Sequence, residues 1–317
     1  MATFIVMMIV IITIFADQGF ASFGFPFQVF GVSIDKRLFG IIIATIVLCA
    51  VMAYDDLKGA PAYLKLFFQI LSALVLIFTG IGLIYLNNPF GNTIYLNTIK
   101  YAFQISSQTY HFVLFADLFF IFWVLTLTNA TNFIDGLDGL SATLNLISVA
   151  IIGALSYSIG QNSTALMCAV LVGAIVGFLP FNLPFSKRGA KMFLGDTGAM
   201  FLGLMLAVLT VITGGKLVTV SLVFGLAIID ALYVVFRRIA AGKNPFTSPD
   251  QSHIHHRFLR AGLSKGATLI IISSFSLLFG LAGLMVQGRL KMYLLAILVV
   301  LVLAMFVILD RKKAKLI

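Results

Sequence analysis

The chain has 317 residues, 61% hydrophobic and only 10% charged, where a soluble protein carries about 25% charged residues. That balance excludes a water-soluble enzyme and points to an all-α, polytopic bundle of transmembrane helices, read as one domain over 1–317. The net charge of +10 then suits anionic lipid and asymmetric loops rather than nucleic acid.

Taken in order, a short apolar run from 4 reaches toward Phe20, with no basic residue ahead of it to make a signal peptide. Further apolar segments lie at 38–54, 64–86, 113–131, 141–159, 164–181, 193–213, 217–237, 267–286 and 290–309. With about 20 residues needed per crossing, the pattern predicts about ten spans. The loop at 87–111 alternates after an Asn-Pro-Phe-Gly-Asn stretch and predicts a small hairpin. Cys49 and Cys168 sit in apolar runs and read as small core residues, not a disulfide. With the N-terminus inside, one set of loops carries 15 of the 21 Lys and Arg residues and the other set 6. The richer set is therefore assigned to the cytoplasm.

All 11 acidic residues are Asp, few enough to consider singly. On that topology Asp55, Asp56, Asp135, Asp138 and Asp196 share the cytoplasmic face with His253, His255, His256 and Arg257. Asn129, Asn132, Asp135 and Asp138 recur every three residues, beside Gly136 and Gly139. Each step of three turns a helix back by about 60°, so all four cannot share one face. The pattern predicts a helix end turning at the membrane surface; a plain polar loop is the bland alternative. Asp230, inside a span, predicts a hydrogen bond or ion pair between helices, with support of the site as the alternative.

Crowded carboxylates repel unless a cation joins them, and all-oxygen ligands suit Mg²⁺ or Mn²⁺ rather than zinc. Phosphoryl chemistry at the surface is the natural reading. In Phe193-Leu194-Gly195-Asp196-Thr197-Gly198, backbone amides at a helix start can approach a phosphate; an ordinary helix start fits as well. The histidine cluster reads as a clamp for diphosphate or sugar groups, against a zinc site or a solvated basic loop.

Together Asp55-Asp56, Asn129-x-x-Asn132-x-x-Asp135-Gly136-x-Asp138-Gly139, Phe193 to Gly198 and His253-x-His255-His256-Arg257 resemble the polyprenyl-phosphate N-acetylhexosamine-1-phosphate transferases. The resemblance runs from about residue 38 to the last span. It implies attack of a polyprenyl phosphate on the β-phosphorus of a UDP-N-acetylhexosamine, with UMP leaving, at the inner membrane of a bacterium. It also implies roles. Asp55, Asp56 and Asp138 are catalytic, and Asp196 with Asn132 holds Mg²⁺, or Mn²⁺ in its place. Asn132, Asp135, Phe193, His253, His255, His256 and Arg257 bind substrate, with Phe193 stacking on uracil. The segment Asn244 to Asp250 before the histidines resembles the branch using UDP-N-acetylglucosamine and undecaprenyl phosphate. A phospho-N-acetylmuramoyl-pentapeptide transferase and a non-catalytic lipid- and nucleotide-sugar-binding protein are the alternatives, and a homodimer is left open. The family pattern has one more span and a basic loop ahead of the span preceding the Asp pair. No Lys or Arg precedes Lys36, so that loop is expected to be missing.

Overall fold

The computed structural model describes residues 26–29 and 32–314, except 84, 87, 89, 97, 106, 107, 186–188, 215 and 243–252. Hairpin β1 (Pro26–Val29) and β2 (Val32–Asp35) leads into α1 (Lys36–Lys58), then α2 (Ala62–Phe78). Two hairpins follow, β3 (Tyr85–Leu86) with β4 (Ile94–Tyr95) and β5 (Lys100–Ile105) with β6 (Gln108–Val113), all antiparallel. The remaining helices are α3 (Leu114–Ile134), α4 (Leu140–Ser158), α5 (Asn162–Asn182), α6 (Gly195–Ile212), α7 (Leu217–Val223), α8 (Gly225–Ala240), α9 (Ile254–Arg260), α10 (Lys265–Met285) and α11 (Arg289–Ala314).

Among the described residues, 7 helices are long and apolar enough to cross a bilayer: α1, α3 to α6, α10 and α11. The bent pair α7 and α8 would make an eighth, so the described residues account for seven or eight of the expected ten or so. The expected span at 4–20 lies outside the described residues, as does the 244–250 segment. The apolar run 64–86 yields only the 17-residue α2, because the chain turns at Thr79-Gly80. Ile81 and Leu83 are apolar because this turn folds them into the core, at 2% and 4% exposure. The run 217–237 is broken at Phe224-Gly225 into α7 and α8, bent by 85°. A side chain at Gly225 would collide with Leu298 of α11, so the glycine at the break gives that helix room. The expected hairpin at 87–111 is present as two. A further hairpin, β1–β2, precedes α1 where no element was expected.

The bundle is built around α6. Its apolar window is 78% buried, against 22% for α11, so α6 is enclosed by protein while α11 mostly faces outward. Helices α1, α3 and α4 pack on α6, and α5 pairs with α4. Without a hydrophobic driving force between helices in lipid, close backbone approach carries much of the packing. At Gly203 of α6 a Cβ would stand 2.6 Å from the Leu127 carbonyl oxygen of α3. Ala normally favours a helix over Gly by about 1 kcal/mol, but here the added methyl meets backbone that must move. Gly203→Ala is therefore expected to destabilise the bundle by about 1–3 kcal/mol. Thermal unfolding in detergent checks this, and a higher melting temperature would show that the helices separate freely.

Candidate active site

The ends of α1, α3 and α5 meet the starts of α2, α4, α6 and α10 at one end of the bundle. The Asp56 carboxylate, exposed at the end of α1, ties that end to the start of α6. It accepts from the backbone N–H of Asp196 (2.9 Å), that of Thr197 (3.2 Å) and the Thr197 hydroxyl (2.6 Å). A helix start carries unpaired N–H groups and partial positive charge, so it attracts an anion. The anion here is Asp56. The amides expected to approach a phosphate are thus engaged by a side chain of this chain. Gly195 is required twice over: its φ is +68°, and a Cβ would stand 2.9 Å from Asp56.

This tie brings Asp55 next to Asp196. Asp55 accepts from the Ala60 N–H (2.6 Å) and pairs with the Lys65 ammonium, which also reaches Asp196 at 2.7 Å. Lys65 therefore bridges two carboxylates from different helices. In the sequence it is one of the 15 basic residues assigned to the cytoplasmic side; its place one helical turn into α2 makes it part of the site. Ligating oxygens of Asp55, Asp56 and Asp196 lie within 4.8 Å of one another. An all-oxygen trio of this size fits a hard divalent cation.

The acidic loop completes the site. Helix α3 carries Asn129 and Asn132, and Asp135 closes it with its N–H on the Asn132 carbonyl (3.2 Å). The expected helix end is present. Asn129 faces another way: its amide donates to Gln69 of α2 at 3.0 Å, stitching α2 to α3. Asp138 pairs with Lys265 of α10 at 3.2 Å. Asn182 of α5 ties both halves, accepting from the Gly139 N–H (3.0 Å) and donating to the Met192 carbonyl (2.8 Å). Neither Lys265 nor Asn182 stands out in sequence, since neither belongs to a carboxylate or histidine motif. Phe193, beside Met192, is 75% exposed and presents its ring at the site's edge.

Burial, then the charges of Asp196, Asp138 and Asp56, pushes the Asp135 carboxyl up to about 8. The accessible surface of Asp135 is intermediate, so the neighbouring carboxylates matter as well as lost water. The part of the shift that comes from Asp196, Asp138 and Asp56 reflects crowded negative charge, which suits a bound cation.

The histidine loop faces the acidic loop. His255 is 1% exposed and packs on Gly136, where a Cβ would stand 2.3 Å from its Nε2. Burial, then His256 and His253, pushes its imidazole down to about 3, so it is neutral. His253 is 7% exposed and lies 5.1 Å from the Phe133 ring. Arg257 is placed differently. It is 2% exposed, pairs with Asp310 at 2.6 Å, and lies over the rings of Tyr233 and Phe306. It moors α9 to α8 and α11, and burial of His253, His255 and Arg257 removes the solvated-loop alternative.

Fold and site together define a helical membrane protein with a carboxylate-rich, divalent-cation-type site at one end of its bundle. Residues 38–214, more than half of the chain, match the profile of glycosyl transferase family 4, and the chain belongs to that family. It is 27% identical over 279 residues to the probable undecaprenyl-phosphate N-acetylglucosaminyl 1-phosphate transferase of Bacillus subtilis, covering 85% of this chain and 72% of that protein. It is 40% identical over 168 residues to the undecaprenyl-phosphate alpha-N-acetylglucosaminyl 1-phosphate transferase of Thermotoga maritima, covering 53% and 51%. With the decaprenyl-phosphate N-acetylglucosaminephosphotransferase of Mycobacterium leprae it shares 32% identity over 258 residues, covering 73% and 60%.

The Asp135 shift has a sign that can be measured. Its carboxyl ionises in the unfolded chain near 4 and in the fold near 8. Between these values the native state holds the extra proton, so stability is greatest below about 4 and falls as pH rises toward 8. With divalent cations chelated, melting temperature is expected to drop across that window, and Asp135→Asn to flatten the drop. Equal slopes for the two proteins would contradict the crowding.

Proposed function

We propose that this protein transfers N-acetylglucosamine 1-phosphate from UDP-N-acetylglucosamine to undecaprenyl phosphate, or another polyprenyl phosphate, at the cytoplasmic face of a bacterial membrane. The observation that carries the reading is the carboxylate trio Asp55, Asp56 and Asp196, assembled from two family motifs at one end of the bundle. The names of the relatives support the sugar and the lipid. The 15-to-6 division of basic residues supports the cytoplasmic side.

An acceptor phosphate oxygen attacks the β-phosphorus of the donor. The new O–P bond forms as the bond from that phosphorus to the bridging oxygen breaks, and UMP leaves with the bridging oxygen. The nucleophile is already an anion, since a phosphomonoester has its second pKa near 6. A strong base is therefore not needed, and Asp55 orients the acceptor or takes its last proton. Direct in-line attack follows, with positioning and charge neutralisation supplying most of the rate. Asp55, Asp56 and Asp196 would hold Mg²⁺, with Mn²⁺ able to replace it, and Asn132 stands on the adjoining helix end. When bound, the ion neutralises and orients phosphate oxygens.

The chain's own groups divide the remaining work. Asp56 fixes the start of α6, so its main task is to place Asp196. Lys65 keeps Asp55 and Asp196 together and offers a cation to the phosphates. Asp135, Asp138 and Asn132 line the nucleotide side, where the Phe193 ring is free to stack on uracil. His255 and His256 face the diphosphate and sugar across Gly136. Buried Arg257 contributes by holding α9 rather than by touching substrate.

UMP release from purified protein with UDP-N-acetylglucosamine, undecaprenyl phosphate and Mg²⁺ tests the reading. Release is expected to require all three. Asp196→Asn and Lys65→Ala are each expected to lower the rate by roughly 100- to 1,000-fold, the scale of losing one charge-stabilising group. UMP formed without lipid, or a better rate with UDP-N-acetylmuramoyl-pentapeptide, would defeat it. A phosphorylated enzyme trapped from donor alone would sink direct attack.

A further inference from the structure

Asp230 lies in α8, within the broken span, and is 1% exposed. An ionised carboxylate at such a place is costly unless its oxygens are satisfied. Both are. Oδ1 accepts from the Ile254 backbone N–H at 2.9 Å, and Oδ2 meets His253 Nδ1 at 2.8 Å. The carboxylate has no hydrogen to give, so Nδ1 carries the proton.

These two bonds fix the start of α9, while Arg257 moors its later turn. The helix has only 7 residues, too few to form without outside support. His253 precedes it with extended backbone and makes no side-chain cap of its own. The first helical N–H is capped instead by Asp230, from a different helix. From there the aromatic rings form a column. Phe133 of α3 lies 5.1 Å from His253, His253 lies 6.1 Å from His255 with ring planes 1° apart, and His255 lies 4.1 Å from His256. Phe133 immediately precedes the acidic loop, and His255 rests on Gly136 within it. A shift of α9 would therefore move both inner imidazoles relative to Asp135 and Asp138.

We propose that Asp230 is a positioning residue: it fixes the proton of His253 on Nδ1 and pins the start of α9, holding the imidazole column against the acidic loop. Its catalytic consequence rests on the transferase reading above; its structural content does not. A simple tie between helices would stabilise the bundle without changing turnover through the His253 imidazole.

Asp230→Asn separates the two roles. Its amide oxygen can still accept from Ile254, while its NH₂ would face Nδ1 and force the proton to Nε2. The chain has only 4 His residues, so ¹⁵N-imidazole spectra in detergent are tractable, with His253→Gln giving the assignment. The wild-type protein is expected to show His253 protonated on Nδ1, and Asp230→Asn to move the proton to Nε2. UMP release should fall about 10- to 100-fold, the usual cost of losing a group that orients a functional histidine. In a His253→Ala background the same change should cost less than about 2-fold, because the residue acts through the imidazole. A wild-type His253 protonated on Nε2, or equal losses in both backgrounds, overturns the proposal. If wild-type protein releases no UMP, the transferase reading fails, and the spectra still decide the role of Asp230.

Discussion

Three hydrogen bonds to the Asp56 carboxylate carry the architecture of this site. They tie the end of α1 to the start of the enclosed helix α6. They add to the packing of α1 on α6 and to the Lys65 bridge in bringing Asp55 and Asp196 together. Two unit charges no more than 4.8 Å apart repel by at least about 3.5 kcal/mol at an effective dielectric of about 20. The approach is offset by the helix start that Asp56 caps and by the Lys65 ammonium between the other two carboxylates. The glycine at 195 follows from the same contact, since any side chain there would push Asp56 away.

The surrounding helices meet the demands of an apolar medium with short-range polar contacts. Hydroxyls of Thr128, Thr131, Ser148 and Thr210 return their hydrogens to the carbonyl one turn earlier. Ser72 of α2 donates to the Ala44 carbonyl of α1, and Gln69 exchanges amide bonds with Asn129. These contacts satisfy polar groups that lipid could not. They also fix the rotation of α2, and so direct Lys65, one turn before Gln69, toward the carboxylates. Asp230 follows the same rule at higher cost, as a charge whose two oxygens are both used.

Much of this was legible in the sequence because membrane proteins separate their signals. Apolar runs mark helices, and ionisable residues are scarce enough for each to carry information. Asp55-Asp56, the Asp135 loop and Asp196 stood out for that reason, and so did their gathering at one end. The broken span does not stand out, because Phe224-Gly225 is as apolar as its neighbours and the Leu298 side chain packed against Gly225 belongs to a later helix. The turn after α2 was hidden by Ile81 and Leu83, which are apolar for burial rather than for helix formation. Lys65, Lys265 and Asn182 do not stand out, because each has a partner more than 40 residues away in the chain: Asp196, Asp138 and Gly139. Arg257 shows the converse. Its sequence neighbours suggested a phosphate clamp, but Tyr233, Phe306 and Asp310 claim it for the bundle.

The charge balance explains why a lysine belongs among the carboxylates. Asp55, Asp56 and Asp196 together with Lys65 carry a formal charge of −2, which a single divalent cation would neutralise. Three carboxylates alone would leave a net negative centre facing two anionic substrates. Lys65 removes that mismatch while holding the two mobile oxygens of Asp55 and Asp196 in place. Lys265 acts likewise on Asp138 at the far side of the loop. The site is thus acidic enough to bind a cation and neutral enough, once it has done so, to admit phosphate.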